Sequence, residues 1–218
     1  MDTLLRKAEY RALSDIKING SIIDLGGDHN SSYRKLWKNS EKIVSLNISA
    51  QSKPDIVHNL EKPLPIENES YDNVLLINVL EHIYNYKGLL RESARIIKKN
   101  GTLVIAVPFL FPIHPSPDDF WRFSKNTLKL EVSQAGFSVA SIEALGCGVF
   151  SACFVLVDRL CPYFIRATIN RLLAIVAVFF DEVFSWFAYW TKRKYHKSDY
   201  ALGYIVTAQK NDVIYYGK

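Results

Sequence analysis

LPIENESYDNVLLINVLEHI, residues 64–83, is the stretch from which the rest of the chain is read. Pro63 and Pro65 mark a loop, and Tyr71-Asp72 leads into Asn73–Asn78. Val74-Leu75-Leu76-Ile77 is apolar at every position, with no alternation. A short run of this kind fits a strand covered on both faces, as in a parallel sheet sheathed by helices. Downstream, Leu89, Leu90, Ala94, Ile96 and Ile97 recur on a charged helical segment expected to stop at Lys98-Lys99-Asn100-Gly101. Thr102–Val107 is a fifth strand closed by Pro108.

Upstream, residues 3 to 15 suggest a helix and Asn19-Gly20 a turn. Strands follow at 21–25 (SIIDL), 42–47 (KIVSLN) and 55–57 (DIV), with a helix expected to open at Tyr33–Trp37. Residues 124–135 read as a helix stopped by Gly136, 137–145 as a sixth strand and 200–209 as a seventh. Alternating strands and helices imply parallel pairing through right-handed crossovers. The fold class is therefore α/β, and ligands of such sheets bind beyond the carboxyl ends of the strands. Function is expected in the loops after residues 25, 47, 57, 78 and 107.

Residues 146–199 break this rhythm. Val149–Val157 and Leu172–Phe180 are apolar runs of nine, each ending in charge, and Val183–Trp190 adds eight more apolar residues after Asp181-Glu182. No run alone reaches the roughly 18 to 20 residues of a membrane span. We expect a helical insertion, and three roles stay open: covering the active site, a homodimer face, or contact with a membrane surface beside Lys192, Arg193, Lys194, His196 and Lys197.

The net charge of +5 is concentrated in that basic cluster, and no nucleic-acid reader module is recognisable, so no nucleic-acid partner is expected. Three cysteines, Cys147, Cys153 and Cys161, without C-x-x-C spacing or a signal peptide, suggest a reduced, cytoplasmic setting. Trp37, Tyr84 and Tyr86 read as core or rim aromatics.

The turn Asp24-Leu25-Gly26-Gly27 permits close backbone approach to a ligand, yet it is not the G-x-G-x-x-G fingerprint of nicotinamide enzymes. Taken with KIVSLNIS, the opening stretch and ARIIKKNGTLVIAVP, it resembles class I S-adenosylmethionine-dependent methyltransferases of the type 11 group, over roughly 18–145 and again at 200–209. The resemblance implies a doubly wound, seven-stranded Rossmann-like sheet whose last strand is antiparallel. A single domain over 1–218 would carry a core of 18–145 and 200–210. It also implies S-adenosyl-L-methionine as cofactor. Asp24, Gly26 and Gly27 would line its methionine end, and Asn47 would face the ribose hydroxyls. Asn59 and Leu60 would face the adenine, and Asn78 and Glu81 the sulfonium. His82 belongs to the same resemblance.

Departures accompany the match. Asp28 and Asn30 stand where further glycines are usual, and Asn47 and Asn59 are amides where carboxylates are usual. An amide cannot take both ribose hydroxyls as a charged acceptor, a loss of about 1–2 kcal/mol each. Asp28 could offset this by pairing with the cofactor's ammonium.

After the fifth strand, PFLFPIHPSPDDFWRF (108–123) hangs over the expected site. His114 with Asp118 or Asp119 is the candidate base for an attacking hydroxyl. The ligand types also allow a His-Asp-Asp metal site, but none is assigned. The loop resembles one in bacterial methyltransferases of surface-polysaccharide assembly, which implies a glycan, glycolipid or other small-molecule acceptor. Two rival readings are a non-catalytic binding module and a peripheral membrane scaffold, the latter at the inner face of the membrane.

Overall fold

The computed structural model describes residues 3–37, 42–157, 163–192 and 194–211, with the side chains of 163–171 outside that description. Seven strands form one sheet: β1 (Ser21–Leu25), β2 (Lys42–Asn47), β3 (Ile56–Val57), β4 (Tyr71–Ile77), β5 (Ile97–Pro108), β6 (Phe137–Leu145) and β7 (Gly203–Lys210). Their spatial order is β3-β2-β1-β4-β5-β7-β6. β1 to β5 pair in parallel, whereas β7 runs antiparallel to both β5 and β6. The order reverses between β1 and β4, so the carboxyl ends of these two strands frame the crevice where such sheets take ligands.

Alternate residues of the central strands feed two cores. Ile23, Leu25, Val74, Leu76, Leu103 and Ile105 join one face, and Ile22, Leu75, Ile77, Val104 and Ala106 the other. All are buried, which is why these strands show no polar alternation. The first face is covered by α2 (Tyr86–Ile96) and α3 (Lys125–Gln134), the second by α1 (Leu4–Asp15) and α4 (Val149–Val157). Each early helix has a side-chain start signal: Thr3 accepts from the Arg6 N–H, Asn85 from Gly88 and Ser124 from Thr127. Trp37 and Tyr86 are core residues, while Tyr84 is 67% exposed.

Four local expectations change. α2 does not end in a glycine-capped turn at 98–101: β5 already begins at Ile97, and Ile97 pairs with Tyr71. Lys98 is held by Asp72 at 2.9 Å, and a Cβ on Gly101 would stand 2.6 Å from the Asp72 carbonyl, so this glycine serves strand packing. Between β1 and β2 the expected helix is a 3-10 turn, Ser32–Trp37, with residues 38–41 outside the described set. β7 begins three residues later than expected, because Lys197–Tyr200 forms a further 3-10 turn.

The fourth change concerns the insertion. The two apolar runs flanking Asp181-Glu182 form one continuous helix, α5 (Tyr163–Trp190). Its segment Leu172–Trp190 has a mean hydropathy of 1.7 over 19 residues and is only 17% buried, so it is long and apolar enough to cross a membrane by length and composition. The acids do not break it. Asp181 is buried, and its carboxylate accepts from the N–H groups of Phe150 and Ser151 and the Ser151 hydroxyl at the start of α4. Glu182 pairs with Lys197 at 2.7 Å. Cys161 and Arg193 lie outside the described residues; Cys147 and Cys153 are free thiols.

Candidate functional site

The turn leaving β1 is built by two glycines with different tasks. Gly26 has φ +90°, and its N–H donates to the Leu46 carbonyl at 2.6 Å. A Cβ on it would lie 2.4 Å from Val79 Cγ2. A side chain there would thus collide with the segment after β4. A Cβ on Gly27 would lie 1.9 Å from the Asp24 carboxylate. Asp24 itself is fully buried and accepts from the Tyr33 hydroxyl at 2.9 and 3.2 Å. Burial pushes its carboxyl up to about 7.

A cleft of about 760 Å³ opens beside this turn, within the roughly 300–1,000 Å³ typical of small-molecule sites. Of the residues expected in the site, Gly26, Asp28, Asn47, Asn59, Leu60 and Asn78 line it, together with Glu61 and the apolar Ile48, Val79 and Ile83. Asp24, Gly27 and Glu81 do not; the first two support the turn from beneath.

Several lining groups are already committed. Asn47 Nδ2 donates to the carbonyls of Gly26 at 2.7 Å and Gly27 at 3.3 Å, and its Oδ1 accepts from the Ser49 N–H at 3.0 Å. One lone pair on that oxygen remains for a ligand hydroxyl. Asn59 Oδ1 accepts from Glu61 N–H, and Asp28 Oδ1 from Asn30 N–H. Asn78, at φ +54°, donates from Nδ2 to Glu9 Oε2 of α1. Glu9 was not singled out by sequence, since nothing local connects it to Asn78.

The opposite wall is the 109–123 loop, which contributes Ser116, Pro117, Asp118 and Phe120. It is fastened to the turn after β4: the N–H groups of Phe120 and Trp121 both donate to the Glu81 carbonyl, and Trp121 Nε1 donates to the Ile83 carbonyl. Within it, Arg122 grips both oxygens of Asp119, which hold that carboxyl down to about 2. Asp119 also accepts from the His114 N–H at 2.9 Å. Asp119 is thus a structural tie with a 2%-exposed side chain, while Asp118 faces the cleft.

His114 Nδ1 faces the Pro112 carbonyl at 3.1 Å and Asp119 Oδ2 at 3.3 Å. The Glu81 carboxylate is the chief reason its imidazolium is favoured above the ordinary range. Glu81 is completely buried, and neither of its oxygens has a hydrogen-bond partner. His114 Nε2 and His82 Nε2 each stand 3.7 Å from Glu81 Oε1. His82, read from sequence only as part of a motif, lines the cleft and donates from Nδ1 to the Asp118 carbonyl at 2.6 Å.

The donor set fits S-adenosylmethionine: carboxylates for an ammonium, amide and hydroxyl groups for a ribose, and Ile48, Leu60 and Ile83 as apolar surface for a base. Sheet order, glycine turn and cleft together define the Rossmann-like methyltransferase fold. Residues 24–105 match the family described as "Methyltransferase domain" (Methyltransf_11), which implies S-adenosylmethionine as the cofactor. The chain is 35% identical over 88 residues to Uncharacterized protein MJ0638 of Methanocaldococcus jannaschii, a match covering 40% of this chain and 36% of that protein. It therefore spans only about a third of that relative's length. Among solved structures it is similar to one from Haloferax volcanii, a complex of the Trm112 methyltransferase activator with a chain assigned as a methyltransferase, at 16% identity and TM-score 0.61, over 98% of this chain and 92% of that one. It is also similar to an S-adenosylmethionine-dependent methyltransferase from Mesorhizobium loti, at 15% identity and TM-score 0.59, over 93% and 98% of the two chains.

Proposed function

We propose that this protein transfers a methyl group to a hydroxyl of a glycan, glycolipid or other small-molecule acceptor. The observation that carries the reading is the pairing of walls: the glycine turn and amide-lined pocket on one side, and on the other the 116–120 loop with His82, whose ring is grouped with Glu81 and His114 just outside the lining. When bound, S-adenosylmethionine supplies a methyl on a positively charged sulfur, so the leaving group is already activated. Gly26, Asp28, Asn47, Asn59, Leu60 and Asn78 would hold it. The protein's remaining work is to align the acceptor, exclude water and manage one proton. A hydroxyl needs that last service. His114, its Nδ1 held by Asp119 and Pro112, presents an Nε2 lone pair suited to it.

Calorimetric titration with S-adenosylhomocysteine tests the cofactor half. No heat at millimolar ligand removes the enzyme and favours a non-catalytic module. Mass spectrometry of polyhydroxyl acceptors incubated with the protein and cofactor tests the other half, and a gain of one methyl only on amines would refute the hydroxyl assignment.

A second reading concerns location. α5 exposes Leu172, Ile175, Phe179, Trp186 and Trp190 along a helix that ends beside Lys192, Lys194 and Lys197. Apolar and aromatic surface next to lysines is the composition that settles on anionic lipid. We place the chain at the cytoplasmic membrane surface, where a lipid-linked acceptor would be found. Flotation with anionic vesicles should carry the full chain upward. A soluble dimer that ignores vesicles would assign the face to a second copy instead.

A further inference from the structure

We propose that Glu81, His82 and His114 form a binding site for a divalent first-row transition metal, zinc by donor type, at the acceptor side of the cleft. The first support is an imbalance. A fully buried carboxylate with both oxygens unbonded is costly, and such groups in native proteins are satisfied by a partner or an ion. The second is convergence. One ligand atom from each of the three residues can be chosen so that all lie within 4.8 Å of one another. Around a tetrahedral ion with bonds of about 2.0–2.2 Å, ligand atoms stand roughly 3.4 Å apart. The observed 3.7 Å from Glu81 Oε1 to each Nε2 needs only a few tenths of an ångström of closure.

The third support is the tautomers. His82 Nδ1 lies 2.6 Å from the Asp118 carbonyl, and His114 Nδ1 faces the Pro112 carbonyl and Asp119 Oδ2. An oxygen acceptor opposite Nδ1 requires the proton there. In the neutral rings both Nε2 atoms are therefore left as lone pairs, facing the same carboxylate oxygen. Outer oxygen partners that fix ring orientation in this way are the usual companions of metal-bound histidines.

Glu81 and His82 come from the 3-10 turn Leu80–His82, and His114 is delivered by the tied loop. Three protein ligands leave a coordination position open, which is the pattern of catalytic rather than structural zinc. His82 also lines the cleft, so that position adjoins the acceptor's approach. This role deepens the hydroxyl-transfer reading and rests on it. A metal-bound hydroxyl ionises more readily, so the ion would take over the service assigned above to the free imidazole. For each methyl moved, the hydroxyl O–H and the sulfonium S–CH3 bonds break and an O–CH3 bond forms. The sulfur keeps the electron pair as a thioether, and the proton leaves to water.

The test is titration of the chelator-treated full chain with Co²⁺, followed by its visible absorption, with Zn²⁺ as competitor. One equivalent should bind with the intense spectrum of a four- or five-coordinate ion, and Zn²⁺ should displace it. His114→Ala and Glu81→Gln should each weaken binding by more than about 100-fold, and Asp119→Asn, which meets the His114 ring only at its far nitrogen, by about 10- to 100-fold. His82→Gln, at a partly exposed residue, serves if a change at buried Glu81 prevents folding. His196→Ala should change nothing. Co²⁺ that stays hexaaqua in the wild-type chain, or binds equally to His82→Gln, overturns the site. A parallel S-adenosylhomocysteine titration separates the readings: nucleoside binding without cobalt binding refutes the metal and leaves methyl transfer standing. Full turnover after chelation would likewise refute the catalytic role.

Discussion

Asn78 Nδ2 donates to Glu9 Oε2 at 2.8 Å, joining the end of β4 to a helix 69 residues earlier in the chain. Glu9 is buried, which raises its carboxyl, and Arg6 at 3.1 Å offsets part of that cost. The cleft's floor is thereby anchored from the opposite face of the sheet. Glu9→Ala should remove a charged hydrogen-bond acceptor and destabilise the protein by about 1–3 kcal/mol in urea unfolding. It should also weaken S-adenosylhomocysteine about tenfold, although Glu9 does not line the pocket. Unaltered affinity in a folded variant would show that Asn78 holds its place unaided.

Asn47 makes the opposite point about an apparent defect. Its amide nitrogen feeds the Gly26 and Gly27 carbonyls, so Asn47→Asp removes both donors and sets a carboxylate against carbonyl oxygens. We expect no gain in nucleoside affinity and a stability loss of about 1–2 kcal/mol. A tenfold tighter complex by calorimetry would mean that ribose contact outweighs the loop tie.

Asp24 sets a pH dependence. Its carboxyl titrates at about 7 when folded, above the ordinary 3.8, because it is desolvated. A raised acid binds its proton more tightly in the folded state, so stability is full below about pH 4 and falls as pH rises through 7. Asp24→Asn keeps an acceptor for Tyr33 and removes the titration. Unfolding midpoints should show the variant ahead of wild type at pH 8, by up to about 4 kcal/mol, and the gap closing towards pH 4. Parallel pH profiles for the two proteins would contradict this.

His114→Ala should lower turnover by about 100-fold or more while S-adenosylhomocysteine affinity stays within about twofold, whether the imidazole acts as base or as ligand. His114 is outside the nucleoside-facing lining, which is why the two readouts should separate. Full activity would retire this residue from the chemistry.

The sheet was legible because its signal is local. Four consecutive apolar residues in β4 and five from Leu103 in β5 need cover on both faces, and their burial bears this out. The turn at Gly26 and the cleft position of Asn78 were legible for the same reason. What escaped the sequence depends on distant partners. Gly101 looked like a helix stop, but its real constraint is the Asp72 backbone. Asp181-Glu182 looked like a break between apolar runs, but a capping role and an ion pair absorb the two charges. Glu81 and His82 passed as motif residues because His114, 32 positions beyond, supplies the third vertex only through a loop stapled by Arg122 and Asp119.

The bond set between Asp181 and the start of α4 also governs how the greasy hairpin can travel. Sliding α5 alone into hydrocarbon would strand a carboxylate there and expose the bare amides of Phe150 and Ser151. On the membrane-surface proposal the two helices would therefore dock as a clasped pair, resting on the lipid like a keel, and a lipid-tethered acceptor would meet the cleft at a fixed height above the bilayer.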